Sequence, residues 1–110
     1  MANNVKLLVF PSTNAVKTKA FMGAFLGVEP YVDSPYYVGY KVGDFEVGID
    51  PHSSVGPIAY TEVADINASL KAMTDAGAEI VQMPKDVGNG MLISQVKNTD
   101  GSIVGFRQLA

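Results

Sequence analysis

Val47-Gly48-Ile49 and Val104-Gly105-Phe106 carry one short pattern, a glycine between apolar residues, at corresponding places in the chain. Each closes the same run of elements: an apolar strand, a helix, then further strands. The strand around the first copy alternates, with Phe45, Val47 and Ile49 on one face and Glu46, Gly48 and Asp50 on the other. A chain that repeats one supersecondary unit is expected to build a symmetric object with a cleft between its halves.

The repeat is visible upstream of the glycines. Val5 to Phe10 is an apolar run stopped by Pro11. Ser12, Thr13 and Asn14 are helix N-cap types, and Gly27 is a C-cap. Between them Val16, Ala20 and Ala24, with Phe21 and Phe25, fall at helical spacing. Val28 to Val32 reads as an edge strand interrupted by Pro30. Tyr36 to Val42 reads as a strand joined by a Gly43-Asp44 turn to Phe45–Asp50. Pro51 to Pro57 is a loop.

The order then restarts. Ile58 to Val63 is a strand, Asp65 caps a helix, and Ile66, Leu70 and Met73 form its apolar stripe up to Gly77. Ala78–Met83, Met91–Lys97 and Ser102–Leu109 are strands, with a loop at Asp86–Gly90 and a turn at Asn98–Gly101. Asn14 matches Asp65, Gly27 matches Gly77 and Glu29 matches Glu79. The extra length of the second half falls in the Pro84–Asn89 loop. The expectation is one domain over residues 1–110, with modules at about 4–51 and 57–110.

With 110 residues, 47% of them hydrophobic, the chain can build a real core. A net charge of −3 argues against nucleic acid, which demands a basic footprint. The charged fraction of 17% is low and hints at a partner covering part of the surface. There is no cysteine, hence no disulfide, thiolate metal site or cysteine nucleophile. No signal-peptide pattern opens the chain and no apolar run approaches about 20 residues, so the expected setting is the cytoplasm, away from any membrane.

Phe21-Met-Gly-Ala-Phe-Leu-Gly27, Glu62-Val-Ala-Asp-Ile-Asn-Ala-Ser-Leu70, Ala76-Gly-Ala-Glu79, Asp86-Val-Gly-Asn-Gly90 and Asn98-Thr-Asp-Gly-Ser102 stand in an order that resembles the vicinal oxygen chelate superfamily. That superfamily includes glyoxalase I, the bleomycin resistance proteins and the extradiol dioxygenases. Asn98 and Thr99 replace the Asp-Pro of its usual turn. Tyr36-Tyr-Val-Gly-Tyr40 and Val47-Gly-Ile-Asp-Pro51 resemble a subgroup of small bacterial glyoxalase-like proteins. The resemblance implies an α+β fold of tandem βαβββ modules rolled into a half-barrel around a central cleft, with the helices outside. It also implies a homodimer.

The same resemblance places the superfamily's metal ligands at Leu7, Gly48, Ile58 and Gly105. None can bind a metal, and a shift by one residue, to Lys6, Leu8, Pro57 or Ala59, finds no better set. The expectation is therefore no metal, no cofactor and no Lewis-acid chemistry of the family type.

Strand parity then sets what faces the cleft. Gly48 brings Glu46 and Asp50; Gly105 brings Ile103 and Arg107; Ile58 brings Tyr60 and Glu62. Leu7, Val9, Ile58 and Ile103 make an apolar floor, with Glu46, Asp50, Tyr60, Glu62 and Arg107 as a polar rim. That composition suits a small-molecule site. Glu62 and Tyr60 are the candidate catalytic pair, although Glu62 also reads as a solvated carboxylate. Arg107 reads as a cross-sheet partner of Glu46 or Asp50. His52, the single histidine, reads as a loop residue, and at most one or two of Tyr36, Tyr37 and Tyr40 are expected to reach a ligand. Asp100 has no serine and histidine companions for a triad, and Gly88-Asn-Gly90 reads as a turn rather than a phosphate loop.

The reading that follows is a metal-free small-molecule-binding protein of the glyoxalase/bleomycin-resistance type. Three carboxylates against one arginine hint at a polar or cationic ligand. The alternatives are a lyase or isomerase of the same superfamily, metal-free or with displaced ligands, and an accessory module without a ligand.

Overall fold

The computed structural model describes residues 3–110. Its elements run β1 (Val5–Pro11), α1 (Ala15–Leu26), β2 (Val32–Asp33), β3 (Val38–Val42), β4 (Phe45–Asp50), β5 (Ile58–Glu62), α2 (Ile66–Asp75), β6 (Glu79–Asp86), β7 (Leu92–Lys97) and β8 (Ile103–Gln108). The fold is α+β, with strand, helix and three strands occurring twice. The chain divides into two compact units. The first is Lys6–Ile58; the second is Ala59–Ala110 with residues 3–5.

In the first module the strand order is β2-β3-β4-β1, with β1 parallel and β3 antiparallel to β4. Gly43 takes φ 61°, a left-handed conformation that a tight hairpin turn requires. Helix α1 starts where the Asn14 side chain accepts from the Lys17 N–H (3.2 Å) and ends at Gly27, with φ 73°. Its core is Met22, Val38, Tyr40, Val47 and Ile49, flanked by Phe10 and Leu26.

That core corrects the face expected for α1. Val16, Phe21 and Phe25 point outward, and Met22 with Leu26 point in. Spacing cannot choose a face in a helix that is apolar on every side. Tertiary contacts choose it: the Tyr40 hydroxyl, on β3, donates to the Lys19 carbonyl (2.9 Å) and fixes the helix rotation. The edge strand is also shorter than expected, only Val32–Asp33, because Pro30 lacks the N–H a ladder needs.

In the second module the order is β5-β8-β7-β6, with β5 parallel and β7 antiparallel to β8. Asp65 caps α2 by accepting from the Ala68 N–H (3.1 Å), and the Ile66 N–H donates to Gln108 Oε1 (2.7 Å). The stripe read from spacing is the stripe that packs: Ile66, Leu70 and Met73 lie against Val96 and Phe106. Strand β6 runs on through Pro84 to Asp86, farther than expected. Register shifts at Ile80/Gln82 and Gln82/Lys85 let a proline sit in it, since it pairs only with β7 in this module.

Candidate functional site

Each module's sheet has one face under its helix and one face away from it. In the first module Val47 and Ile49 pack under α1. The intervening Glu46, Gly48 and Asp50 therefore share the other face, and pairing adds Leu7, Val9 and Pro11 from β1. From β3 the register adds Lys41 and Gly39. So Leu7, Val9, Glu46, Gly48 and Asp50 occupy one face, as parity requires.

The two glycines of that face are floors beneath aromatic rings. A Cβ on Gly48 would collide with the ring and hydroxyl of Tyr37. One on Gly39 would stand 2.9 Å from Tyr31 and 3.0 Å from Tyr37. Tyr31 donates its hydroxyl to the Glu46 carboxylate. The Lys41 ammonium lies over the Tyr31 ring, 4.6 Å from its centroid. Leu7 is buried, Val9, Glu46 and Asp50 are half-buried, and Tyr31 is exposed. Asp50 accepts from the His52 N–H (2.9 Å), and the exposed His52 ring lies 6.3 Å from Tyr36. Tyr40 belongs to the core, where burial pushes its phenol above the usual tyrosine range.

The second module repeats the scheme with other residues. Phe106 and Val96 face α2, so Gly105, Arg107 and Ile103 face away, joined by Tyr60 and Glu62 of β5 and by Ile93, Gln95 and Lys97 of β7. A Cβ on Gly105 would strike the Tyr60 ring and stand 2.9 Å from the Ser94 carbonyl. Gln95 Nε2 donates to the Tyr60 hydroxyl (2.9 Å). Arg107 Nη2 donates to Glu62 Oε1 (2.7 Å) across directly paired strands. Glu62 is thus an ion-paired carboxylate rather than a solvated one. Tyr60 and Arg107 are buried, and Ile58 is buried at the start of β5.

Parity gave the sheet face of the strand residues within each module but overlooked Tyr31, Lys41 and Gln95. Parity run along β3 and β7, through Gly39 and Gln95, exposes the last two. Tyr31 had no such signal, because the strand expected over Val28–Val32 is interrupted by Pro30 and the ladder that forms, Val32–Asp33, starts after it. The Gly88–Gly90 loop is the turn expected: Gly88, Asn89 and Gly90 all have positive φ, and the Gly88 N–H bonds Asp86 (2.8 Å).

Leu7, Gly48, Ile58 and Gly105 offer no metal donor, and rings cover both glycines. No group of three or more His, Cys, Asp and Glu suited to a metal exists among the described residues. The side chains present do not fit the superfamily's divalent metal. No helix among the described residues is long and apolar enough to cross a membrane.

No family model and no curated protein matches the sequence. Solved structures do resemble the fold. The hypothetical protein BH1468 from Bacillus halodurans C-125 superposes with a TM-score of 0.78 at 13% identity, over 100% of this chain and 96% of its own. A variant of Streptomyces coelicolor methylmalonyl-CoA epimerase, in complex with 2-nitronate-propionyl-CoA, gives 0.74 at 12% identity, over 100% and 99%. The NAD-dependent benzaldehyde dehydrogenase from Legionella pneumophila gives 0.73 at 16%, over 94% and 98%. The epimerase is a vicinal oxygen chelate protein, so the fold is one that this superfamily uses. At these identities the likeness reaches the fold and stops there.

Proposed function

We propose that this chain is a metal-free, small-molecule-binding protein of the vicinal oxygen chelate type, close to its small glyoxalase-like and bleomycin-resistance-like members. On this reading it works in the cytoplasm as a homodimer. The ligand is compact and partly apolar, with a polar or cationic group. It binds on the open face of the first module, where Tyr31 and Tyr37 lie over Gly39 and Gly48 and Glu46 supplies the counter-charge. The observation that carries the reading is Lys41: its ammonium already stands on the Tyr31 ring, at the place a ligand cation would take.

The test is a titration with benzyltrimethylammonium, followed by amide chemical shifts. Saturable shifts at Tyr31, Tyr37 and Glu46 are expected, and Tyr31→Ala should weaken binding about 10-fold, the worth of one desolvated cation–π contact. Absence of shifts with this cation and with a library of neutral aromatics would sink the reading. In its place would stand the accessory module, which the burial of Leu7, Ile58, Tyr60 and Arg107 favours.

The enzyme alternative uses Glu62 and Tyr60 for acid–base work. Against it, Glu62 is engaged by Arg107 and Tyr60 is held by Gln95. A stoichiometric metal after purification without chelator would revive it, by requiring ligands outside the four positions considered.

A further inference from the structure

Helix α1 turns to solvent a face that its own module does not cover. Val16 is 76% exposed, Phe21 65% and Phe25 73%. The two phenylalanine rings stack, with centroids 6.5 Å apart and planes within 9°. One turn apart, they form a ridge. Beside them the small residues Ala20, Gly23 and Ala24 form a groove that opens into a hollow of about 340 Å³ ending at Val28 and Glu29. Helix α2 holds the same place in its module and shows nothing similar, with Asn67, Lys71, Thr74 and Asp75 outward. The fold therefore does not require an apolar outer face. A helix apolar on all sides belongs between two apolar surfaces.

We propose that two copies of the chain pair through antiparallel α1 helices, the Phe21/Phe25 ridge of each lying in the Ala20/Ala24 groove of the other. Ridge and groove stand side by side on one helix, so the surface is complementary to itself, as an isologous contact demands. Charge agrees. Lys17 heads the phenylalanine row, and an antiparallel partner brings its opposite end, with the partner's Glu29, toward that lysine. An anionic lipid surface fits less well, because the chain is acidic overall and the hollow's own cation, Lys19, is paired with Asp33 (2.9 Å).

Area sets the strength. At about 200 Å² per ring, the two phenylalanines leave about 280 Å² open. With Val16, the alanines and Val28 the face reaches roughly 450 Å² per copy, or roughly 900 Å² for a pair, at the small end of specific interfaces. The dimer is accordingly weak, forming at micromolar rather than nanomolar concentration.

Sedimentation velocity from about 5 to about 500 μM tests this. The weight-average mass should rise from 11.7 kDa toward twice that value. Phe25→Glu, on an exposed side chain, should weaken association at least 10-fold with an unchanged circular dichroism spectrum. Ala24→Trp, which fills the groove, should do the same from the receiving side. Lys17→Glu should weaken it less, and adding Glu29→Lys should restore it. A wild-type chain still monomeric at the highest concentration would overturn the proposal. So would a dimer indifferent to both Phe25→Glu and Ala24→Trp, or a monomer that binds phosphatidylglycerol vesicles through these phenylalanines.

Discussion

One row of residues crosses the sheet in each module, and the two rows differ in a telling way. In the first module it reads Val9–Gly48–Gly39; in the second it reads Tyr60–Gly105–Gln95. Both centre on a glycine of the last strand, and both glycines lie under a tyrosine ring. In the second module that ring comes from the row itself, is buried, and accepts a hydrogen bond at its hydroxyl from Gln95 at the row's far end. In the first it comes from Tyr37, outside the row and half-buried. The repeat has kept the space above the glycine and not the residue that fills it. The helices differ in the same sense: α2 hides its apolar residues, whereas α1 displays two phenylalanines. The second module exposes aliphatic side chains such as Met83 and Leu109, whereas the exposed aromatic side chains are on the first.

The largest effects should come from the helices. Leu70→Ala removes a buried side chain of α2 from contact with Val96 and Phe106, and should cost about 3 kcal/mol in urea unfolding. Phe25→Ala deletes a larger side chain from α1, yet in dilute monomer should cost less than about 0.5 kcal/mol. Equal costs would mean that α1 packs by its outer face and that the two modules are alike after all.

The glycines come next. A methyl at Gly105 meets a buried ring on one side and a backbone carbonyl on the other. Neither can yield, so Gly105→Ala should cost about 3 kcal/mol. The nearest atoms a methyl at Gly48 meets all belong to the half-buried Tyr37 side chain, and a side-chain end yields more readily than a backbone carbonyl, so Gly48→Ala should cost about 1 kcal/mol. Amide shifts of the Gly48→Ala protein should report the displaced tyrosine. If Gly48→Ala proves as costly as Gly105→Ala, Tyr37 is as fixed as Tyr60, and the adaptable face assigned to the first module loses its basis.

How far the sequence could be read follows the same division. The second helix was legible down to its contacts, because Ile66, Leu70 and Met73 are apolar against a polar background and only one rotation buries them. The first was legible in its limits, since Asn14 and Gly27 act locally through the backbone. It was not legible in its rotation, because eight of its twelve residues are apolar or aromatic and the deciding contact, Tyr40 to Lys19, spans two elements. The open faces were legible wherever a strand imposes parity, which is why Glu46 with Gly48 and Gly105 with Arg107 share a face as expected; the partner of Arg107 was not, since it is Glu62 on the adjoining strand rather than Glu46 or Asp50. Tyr31 escaped because it lies just before β2, a strand of two residues and too short for alternation to be read. What fills the space above a glycine is a tertiary fact with no periodic signal.

The smallest expected effect separates the modules by how each fastens its helix. Helix α2 is tied at its start by an amide, Gln108, which does not titrate. Helix α1 is tied by the Tyr40 phenol, and burial raises its pKa above the ordinary 10.0. Beside it Lys19 is also raised above its ordinary 10.5, chiefly by its hydrogen bond to Asp33 (2.9 Å). A tyrosine or lysine in the unfolded chain therefore gives up its proton before its folded counterpart. Stability from both groups is complete at neutral pH and declines as the pH climbs past about 10. Urea midpoints measured from neutral pH to about pH 11 should fall, and Tyr40→Phe, less stable at the outset, should fall less steeply over the same interval. Parallel curves for the two proteins would show that the phenol is not what holds α1, and the rotation of that helix would then need another cause.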